Sequence, residues 1–289
     1  MTVKIIADSA SDLAKEDYEK YNIQMVPLTV QLDGENYEDG ITISSKKVYD
    51  AMREGKSPKT AQVSPQTFQD TFEMHAKEGN EVVYLAFSSE LSGTYQTAKL
   101  MEKEVKKSYP DFVLHVLDTK CASLGYGLVV LKAAEAANNG ASVEEVVSIS
   151  KHYYDSMEHI FTVDDLEYLY RGGRVSKTAA FVGTLLKVKP LLHMEDGKLI
   201  PLEKVRGSKK VFKRMIELME ERGADLEDQV IAISHGDAID TANTLAEMIR
   251  EKWNVKEIKI NMVGSTIGAH AGPGTIALFF LNKPAKNLT

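Results

Sequence analysis

At 289 residues the chain is longer than one core usually supports, so two domains are expected, and 43% hydrophobic with 27% charged residues is the balance of an ordinary globular protein. The formal charge of −7 argues against nucleic acid as the main partner, and the single cysteine, Cys121, excludes an intrachain disulfide and any cysteine-cluster metal site. The opening residues MTVKIIADSASD run straight into a charged turn, and no segment approaches about 18 uninterrupted apolar residues, so a cytoplasmic protein without stable membrane insertion is expected.

In chain order, residues 3–7 form a short apolar strand, Ser11 is placed to cap a helix running to about residue 22, and residues 25–32 read as a second strand. A glycine-containing turn at 33–40 leads to a helix over 45–53. The loop KSPKTAQVSP (56–65) ends in a proline suited to the first turn of a helix over 65–77, with Ser64 as its cap. Residues 82–87 have the length and composition of a buried strand, and Tyr95, Ala98, Met101 and Val105 follow at helical spacing. A further strand at 112–117 feeds, through the small-residue turn DTKCASLGYG (118–127), an apolar helix over 128–137 that Gly140 can end. This succession predicts a parallel, Rossmann-like sheet with helices on both faces.

A capping box of Ser142 and Glu145 opens a helix to about residue 154, after which the pattern changes character, so the predicted domains are 1–157 and 158–289. The second half reads as an apolar helix over 177–188, a hairpin of 191–194 and 199–202 around Asp196-Gly197, and a helix over 208–221. A strand at 230–234, a helix over 238–253 and strands at 258–263 and 275–281 complete a mixed or mostly antiparallel α/β domain. Charge is uneven: residues 171–214 carry twelve Lys/Arg against three Asp/Glu, on a chain that is acidic elsewhere. That stretch is either a solvated face or a dock for an acidic or nucleotide-bearing partner.

In parallel sheets ligands collect beyond the carboxyl ends of the strands, where DSASD (8–12), KTAQVSP (59–65), SSELSGT (88–94) and DTKCAS (118–123) would gather. Helix starts and hydroxyls dominate that edge, and charges are few. Such chemistry suits one small anionic head group better than a metal or a polyphosphate. Within it, Ser92 is compatible with two readings, a helix N-cap or an anion ligand beside Gly93. The segment GSTIGAHAGPG (264–274) holds four glycines around His270, as a loop able to present the imidazole at a cleft. His235 reads as a structural residue at a strand end. Neither HExxH, a dinucleotide or P-loop glycine pattern, nor a G-x-S-x-G elbow is present, so metal and nucleotide cofactors are not expected. A serine hydrolase using Ser92 and His270 is the alternative, although no acidic partner for His270 is evident.

The order and spacing of DSASDL, KTAQVSP, SSELSGTYQTA, DTKCASLGYG, LEYLYRGGRVSK and GAHAGPG over nearly the whole chain resemble the DegV family, fatty-acid-binding subunits of bacterial fatty acid kinase. That resemblance implies a long-chain fatty acid such as palmitate in a tunnel between two α/β domains. It also implies a separate ATP-dependent kinase subunit that phosphorylates the bound carboxylate, which makes this chain a carrier and not a catalyst. By motif, Thr60, Ser92, the Gly93 amide and His270 fall at the carboxylate, and Arg174 and Arg206 fall where similar proteins meet the kinase subunit. One departure is visible: members often read Thr-Ser-Gln-Pro where this chain has Thr60-Ala61-Gln62-Val63, so one hydroxyl and a rigid proline are missing.

A C16 tail buries about 14 methylenes at roughly 0.8 kcal/mol each, on the order of 11 kcal/mol gross. Hydrogen bonds to a charged head group contribute about 1.5 to 3 kcal/mol each. The tail is therefore expected to set affinity and the hydroxyl cluster orientation. Phe161, Val163, Leu166, Leu169, Phe181, Leu185 and Ile267 are the candidate tunnel walls, each also suited to an ordinary core.

Overall fold

In the computed structural model, which describes residues 3–176 and 188–286, the chain opens with β1 (Val3–Asp8), an apolar run that is almost wholly buried. A short 3-10 turn over Ser9–Ser11, capped by the Asp8 carboxylate accepting from the Ala10 N–H, precedes α1 (Lys15–Tyr21). Ser11 therefore does not cap α1. It lies in the 3-10 turn, where its hydroxyl bonds to the Tyr18 hydroxyl, and α1 starts after Ala14 with no side-chain cap.

The single strand expected at 25–32 is two, β2 (Ile23–Val26) and β3 (Thr29–Leu32), which join different sheets. Pro27 stands between them, with a fixed φ and no N–H to donate to a ladder. Asp33 (φ 55°) and Gly34 (φ 85°) turn β3 into β4 (Glu35–Glu38), as a two-residue hairpin loop with both residues at positive φ requires. After α2 (Ser45–Arg53), capped by Ser44, the segment expected to be loop contributes β5 (Lys59–Ala61), antiparallel to β3. Then α3 (Pro65–Glu78) starts at the predicted Ser64 cap.

Next come β6 (Glu81–Ala86), α4 (Thr94–Ser108), β7 (Leu114–Asp118), α5 (Ser123–Asn138) and α6 (Val143–Tyr154), the last with both halves of its capping box formed. α5 begins five residues earlier than its apolar pattern suggests. Gly125 and Gly127, poor helix formers, are tolerated there because a Cβ on Gly125 would stand 2.6 Å from His159 Nε2 and one on Gly127 2.6 Å from the Ser11 carbonyl oxygen.

The later residues supply β8 (Met157–Thr162), α7 (Glu167–Arg171), β9 (Val188–Glu195), β10 (Lys198–Arg206), α8 (Ser208–Arg222), β11 (Val230–His235), α9 (Ile239–Lys252), β12 (Glu257–Met262), α10 (Ser265–Ala271) and β13 (Ile276–Leu281). The predicted hairpin is β9–β10, with Asp196 and Gly197 both at positive φ. The helix expected over 177–188 lies outside the described residues except for Val188, which opens β9.

Strands β2-β1-β6-β7 form a parallel sheet, and β10-β9-β8-β13-β11-β12 a mixed one in which only β11–β12 is parallel. β4-β3-β5 is a third, small antiparallel sheet that the sequence pattern did not predict. The α/β architecture with a parallel and a mixed sheet is thus the one expected. α5 packs on β1 of one sheet and on β8, β11 and β13 of the other. Buried between two sheets, it is apolar on nearly every face.

Candidate functional site

Between the two large sheets lies a cavity of about 330 Å³, within the range of small-molecule sites. Its walls are mostly apolar, with Leu28, Phe87, Leu91, Met194, Leu199 and Phe279 among them. Thr60, Gln62, Ser92, Gly93, Arg174 and His270 also line it.

Ser92 and Gly93 reach the wall through the turn between β6 and α4. Asp8 Oδ2 accepts from the Phe87 N–H at 2.9 Å and the Tyr84 hydroxyl at 2.8 Å, which ties the end of β1 to the start of that turn. Gly93, not Ser92, occupies the cap position of α4. Ser92 Oγ instead accepts from the Thr94 N–H at 3.2 Å and lies 2.8 Å from Thr94 Oγ1. A Cβ at position 93 would stand 2.0 Å from Gln62 Oε1, so glycine lets Gln62 lie across the helix start, where its amide donates to Thr97 Oγ1.

His270 sits on a helix, not on the loop expected at 264–274. Seven residues of that segment, Ser265–Ala271, form α10, and Gly272 at φ 81° ends it. The glycines misled because glycine density argues for loop, whereas the helix is held by side chains far away in sequence. Gly264 N–H donates to Asp12 Oδ1 at 2.9 Å, Ser265 N–H to Asp39 Oδ1 at 3.0 Å and Thr266 N–H to Asp39 Oδ2 at 3.2 Å. Asp12 and Asp39 carried no signal in a single sequence beyond membership of turn-like segments.

At the other end of α10, His270 Nε2 and Thr60 Oγ1 share a hydrogen bond of 2.7 Å, so the structure brings these two predicted residues into contact. Gly172 packs against the imidazole: a Cβ there would be 2.1 Å from His270 Nδ1. Burial, with the Arg174 charge adding to it, lowers the His270 pKa to about 4, so the ring is neutral at pH 7. The half-buried Arg174 donates from Nε to the Leu91 carbonyl at 3.1 Å and from Nη1 to the Gly172 carbonyl. Among the described residues it forms no ion pair, and residues 177–187 contain no Asp or Glu.

Of the predicted walls, Phe161, Leu169 and Ile267 line the cavity. Val163 is fully buried in the core and Leu166 packs half-buried against it, and neither lines the cavity. Phe181 and Leu185 lie outside the described residues. Arg174 is in the cavity wall, whereas Arg206, exposed at the end of β10, is not. His159, which sequence reasoning passed over, lines the cavity fully buried: Nε2 accepts from the Ala122 N–H at 3.1 Å and Nδ1 lies 3.2 Å from the Met157 carbonyl. Those bonds select the neutral tautomer protonated on Nδ1, and burial puts its pKa at about 4. His235 ends β11, where its Nδ1 accepts from the Ala238 N–H at 3.1 Å.

A hydrolytic arrangement finds no support here. His270 is bonded to Thr60, Ser92 to Thr94, and among the described residues no carboxylate orients the imidazole. Among the described residues there is also no group of three or more His, Cys, Asp or Glu able to hold a metal ion, and no helix long and apolar enough to cross a membrane. Chemically, the cavity offers hydroxyls, amides, two neutral imidazoles and a guanidinium beside an apolar chamber, which fits an amphipathic molecule with an anionic head.

Comparison with known proteins gives the same direction. The sequence profile of the DegV family matches residues 2–283. A DegV domain-containing protein of Clostridium perfringens is 42% identical over 280 residues, covering 96% of each chain. The structure of a fatty-acid-binding DegV family protein from Thermus thermophilus superposes with a TM-score of 0.89 at 32% identity, over 96% of this chain and 99% of that one. A DegV lipid-binding protein from Thermotoga maritima superposes with a TM-score of 0.86 at 34% identity, over 97% and 99%.

Proposed function

The chain belongs to the DegV family, and from that premise we propose that it binds a long-chain fatty acid such as palmitate in the cavity between its sheets and acts as a carrier, with no catalysis of its own. Thr60, Ser92, the Gly93 amide and His270 hold the carboxylate, and the apolar chamber takes the tail. The observation that carries this reading is the half-buried Arg174 guanidinium in the wall of that cavity, without an acidic partner among the described residues. Burial disfavours its charge, and a ligand carboxylate supplies the missing counter-ion.

The domains of this reading are 1–157 and 158–289, with the ligand between them. Ala61 and Gln62 line the cavity and are themselves exposed, so the hydroxyl-bearing side is where the chamber meets solvent. A head group there is within reach of a second protein. This supports presentation of the carboxylate to a separate ATP-dependent kinase subunit, which docks on Arg206, Arg174 and the neighbouring basic residues and forms the acyl phosphate.

Protein purified from cells and extracted with solvent is expected to release a long-chain fatty acid in stoichiometric amount. In titrations with saturated acids, each methylene removed from C16 is expected to weaken binding by about fourfold, the equivalent of roughly 0.8 kcal/mol. An empty protein whose affinity for acids is independent of tail length would defeat the proposal. For the arginines, Arg174→Met is expected to weaken palmitate by about tenfold, the worth of one hydrogen-bonded charge. Arg206→Ala is expected to spare lipid binding and reduce phosphorylation by the kinase subunit. If Arg174→Met retains full lipid affinity and loses only phosphorylation, that arginine belongs to the docking face alone.

A further inference from the structure

α10 is two turns long, too short to hold a helical conformation or a fixed position unaided. It is instead fixed at both ends by the N-terminal part of the chain. Three consecutive N–H groups at its start, those of Gly264, Ser265 and Thr266, are taken up by Asp12 and Asp39, and its last turn places His270 against Thr60. Both carboxylates are buried and braced: Asp39 Oδ2 accepts from the Ser9 hydroxyl at 3.0 Å, and Asp12 Oδ2 from the Ser123 hydroxyl. The fit at this end is close, since a Cβ on Gly264 would stand 2.5 Å from Asp12 Oδ1.

Burying two carboxylates near one another is costly, and seven residues of helix could be capped by a serine at far less expense. What two bifunctional acceptors add over a hydroxyl is a fixed position: three N–H vectors converge on two immobilised carboxylates. We propose that Asp39 and Asp12 are positioning residues that hold α10 in register with β5, and so set the carboxylate selectivity of the head-group site through the Thr60–His270 pair. This inference rests on the reading of the cavity as a fatty-acid site.

The test compares palmitate with hexadecanol, which has the same tail and no carboxylate, in wild type and Asp39→Asn, with the His270 imidazole resonances followed by NMR. The amide of asparagine keeps one acceptor and turns a donor toward the second N–H. Palmitate affinity is expected to fall about tenfold with hexadecanol unchanged, as for loss of alignment worth one charged hydrogen bond. The His270 resonances are expected to move toward those of a ring that no longer meets Thr60. Equal loss for both ligands, or unmoved His270 signals, would show a purely structural role and overturn the inference. Gly264→Ala, which displaces Asp12 without removing a charge, is the second variant if Asp39→Asn does not fold, and the same selective loss is expected of it. A wild-type protein that binds neither ligand would instead count against the fatty-acid site itself.

Discussion

Alanine at Gly172 is expected to cost about tenfold to a hundredfold in palmitate affinity and about 1 to 3 kcal/mol in unfolding free energy. Gly172 has φ −71°, a conformation any residue adopts, so backbone strain plays no part. The conflict is between side chains: the new Cβ would lie 2.1 Å from His270 Nδ1 and 3.0 Å from its Cε1. The imidazole must swing away, and the 2.7 Å bond to Thr60 is lost with it. Because α7 ends at Arg171 and Gly172 caps it, the helix itself tolerates the methyl group. Calorimetric titration with palmitate, beside a thermal unfolding curve, checks both halves. Wild-type affinity in the variant would show that His270 is not part of the head-group site.

Replacing His159 by glutamine is expected to remove a large share of the protein's sensitivity to acid. His159 is buried and neutral, with its pKa lowered to about 4, whereas an imidazole in the unfolded chain titrates at about 6.5. Above that value neither state is charged. As pH falls through it, the unfolded chain takes up a proton that the folded state refuses, so stability is lost until about pH 4, by about 3 kcal/mol. His270 acts in the same sense over the same window. Asp8 acts in the opposite sense: burial raises its pKa to about 6, so the folded state holds a proton below that pH, and stability is gained as pH falls from there toward the ordinary aspartate value. The total slope therefore mixes signs, and the difference between variant and wild type isolates His159. The stability gap between them is expected to close, or reverse, by about 3 kcal/mol from pH 7 to pH 4. Parallel pH curves from denaturant melts would contradict it.

Local signals read well wherever the controlling residues are neighbours in sequence. Ser64, the Ser142–Glu145 box and Asp196-Gly197 each act on a backbone within about four residues, and each appears in the structure as its spacing predicts. Ser11 and Ser92 show the limit of that logic. Both are hydroxyls before a helix, and neither holds the cap position: Ser11 bonds to the Tyr18 hydroxyl while α1 starts after Ala14, and Ser92 accepts from the Thr94 N–H while Gly93 stands at the cap of α4. The loop reading of 264–274 failed in the same way, since Asp12 and Asp39 make a helix out of a glycine-rich segment.

Thr60, Ser92, Gly93 and His270, which stand out through their motifs, all line one cavity. Gln62 and Leu91 stood inside the same motifs without a chemical reason to single them out. Met194 and Leu199 had no signal: a hairpin strand looks the same in sequence whether its apolar face meets a core or a cavity. Val163 and Leu166 show the converse, apolar residues of the same kind that meet the core and not the cavity.

By itself, then, the sequence determined the alternation of strands and helices, the α/β class and the chemistry of the loops, because periodicity, capping and turn residues act over a few positions. Only the tertiary structure decided which of those loops face one another. The pairing of β5 with β3 brings Thr60 to His270, and the bare Cα of Gly172 makes room for that ring. Arg174 turns to the cavity because carbonyls at Leu91 and Gly172 hold it there. These contacts span up to about 210 residues, where no local preference operates and only the packing of one sheet against the other chooses the partner.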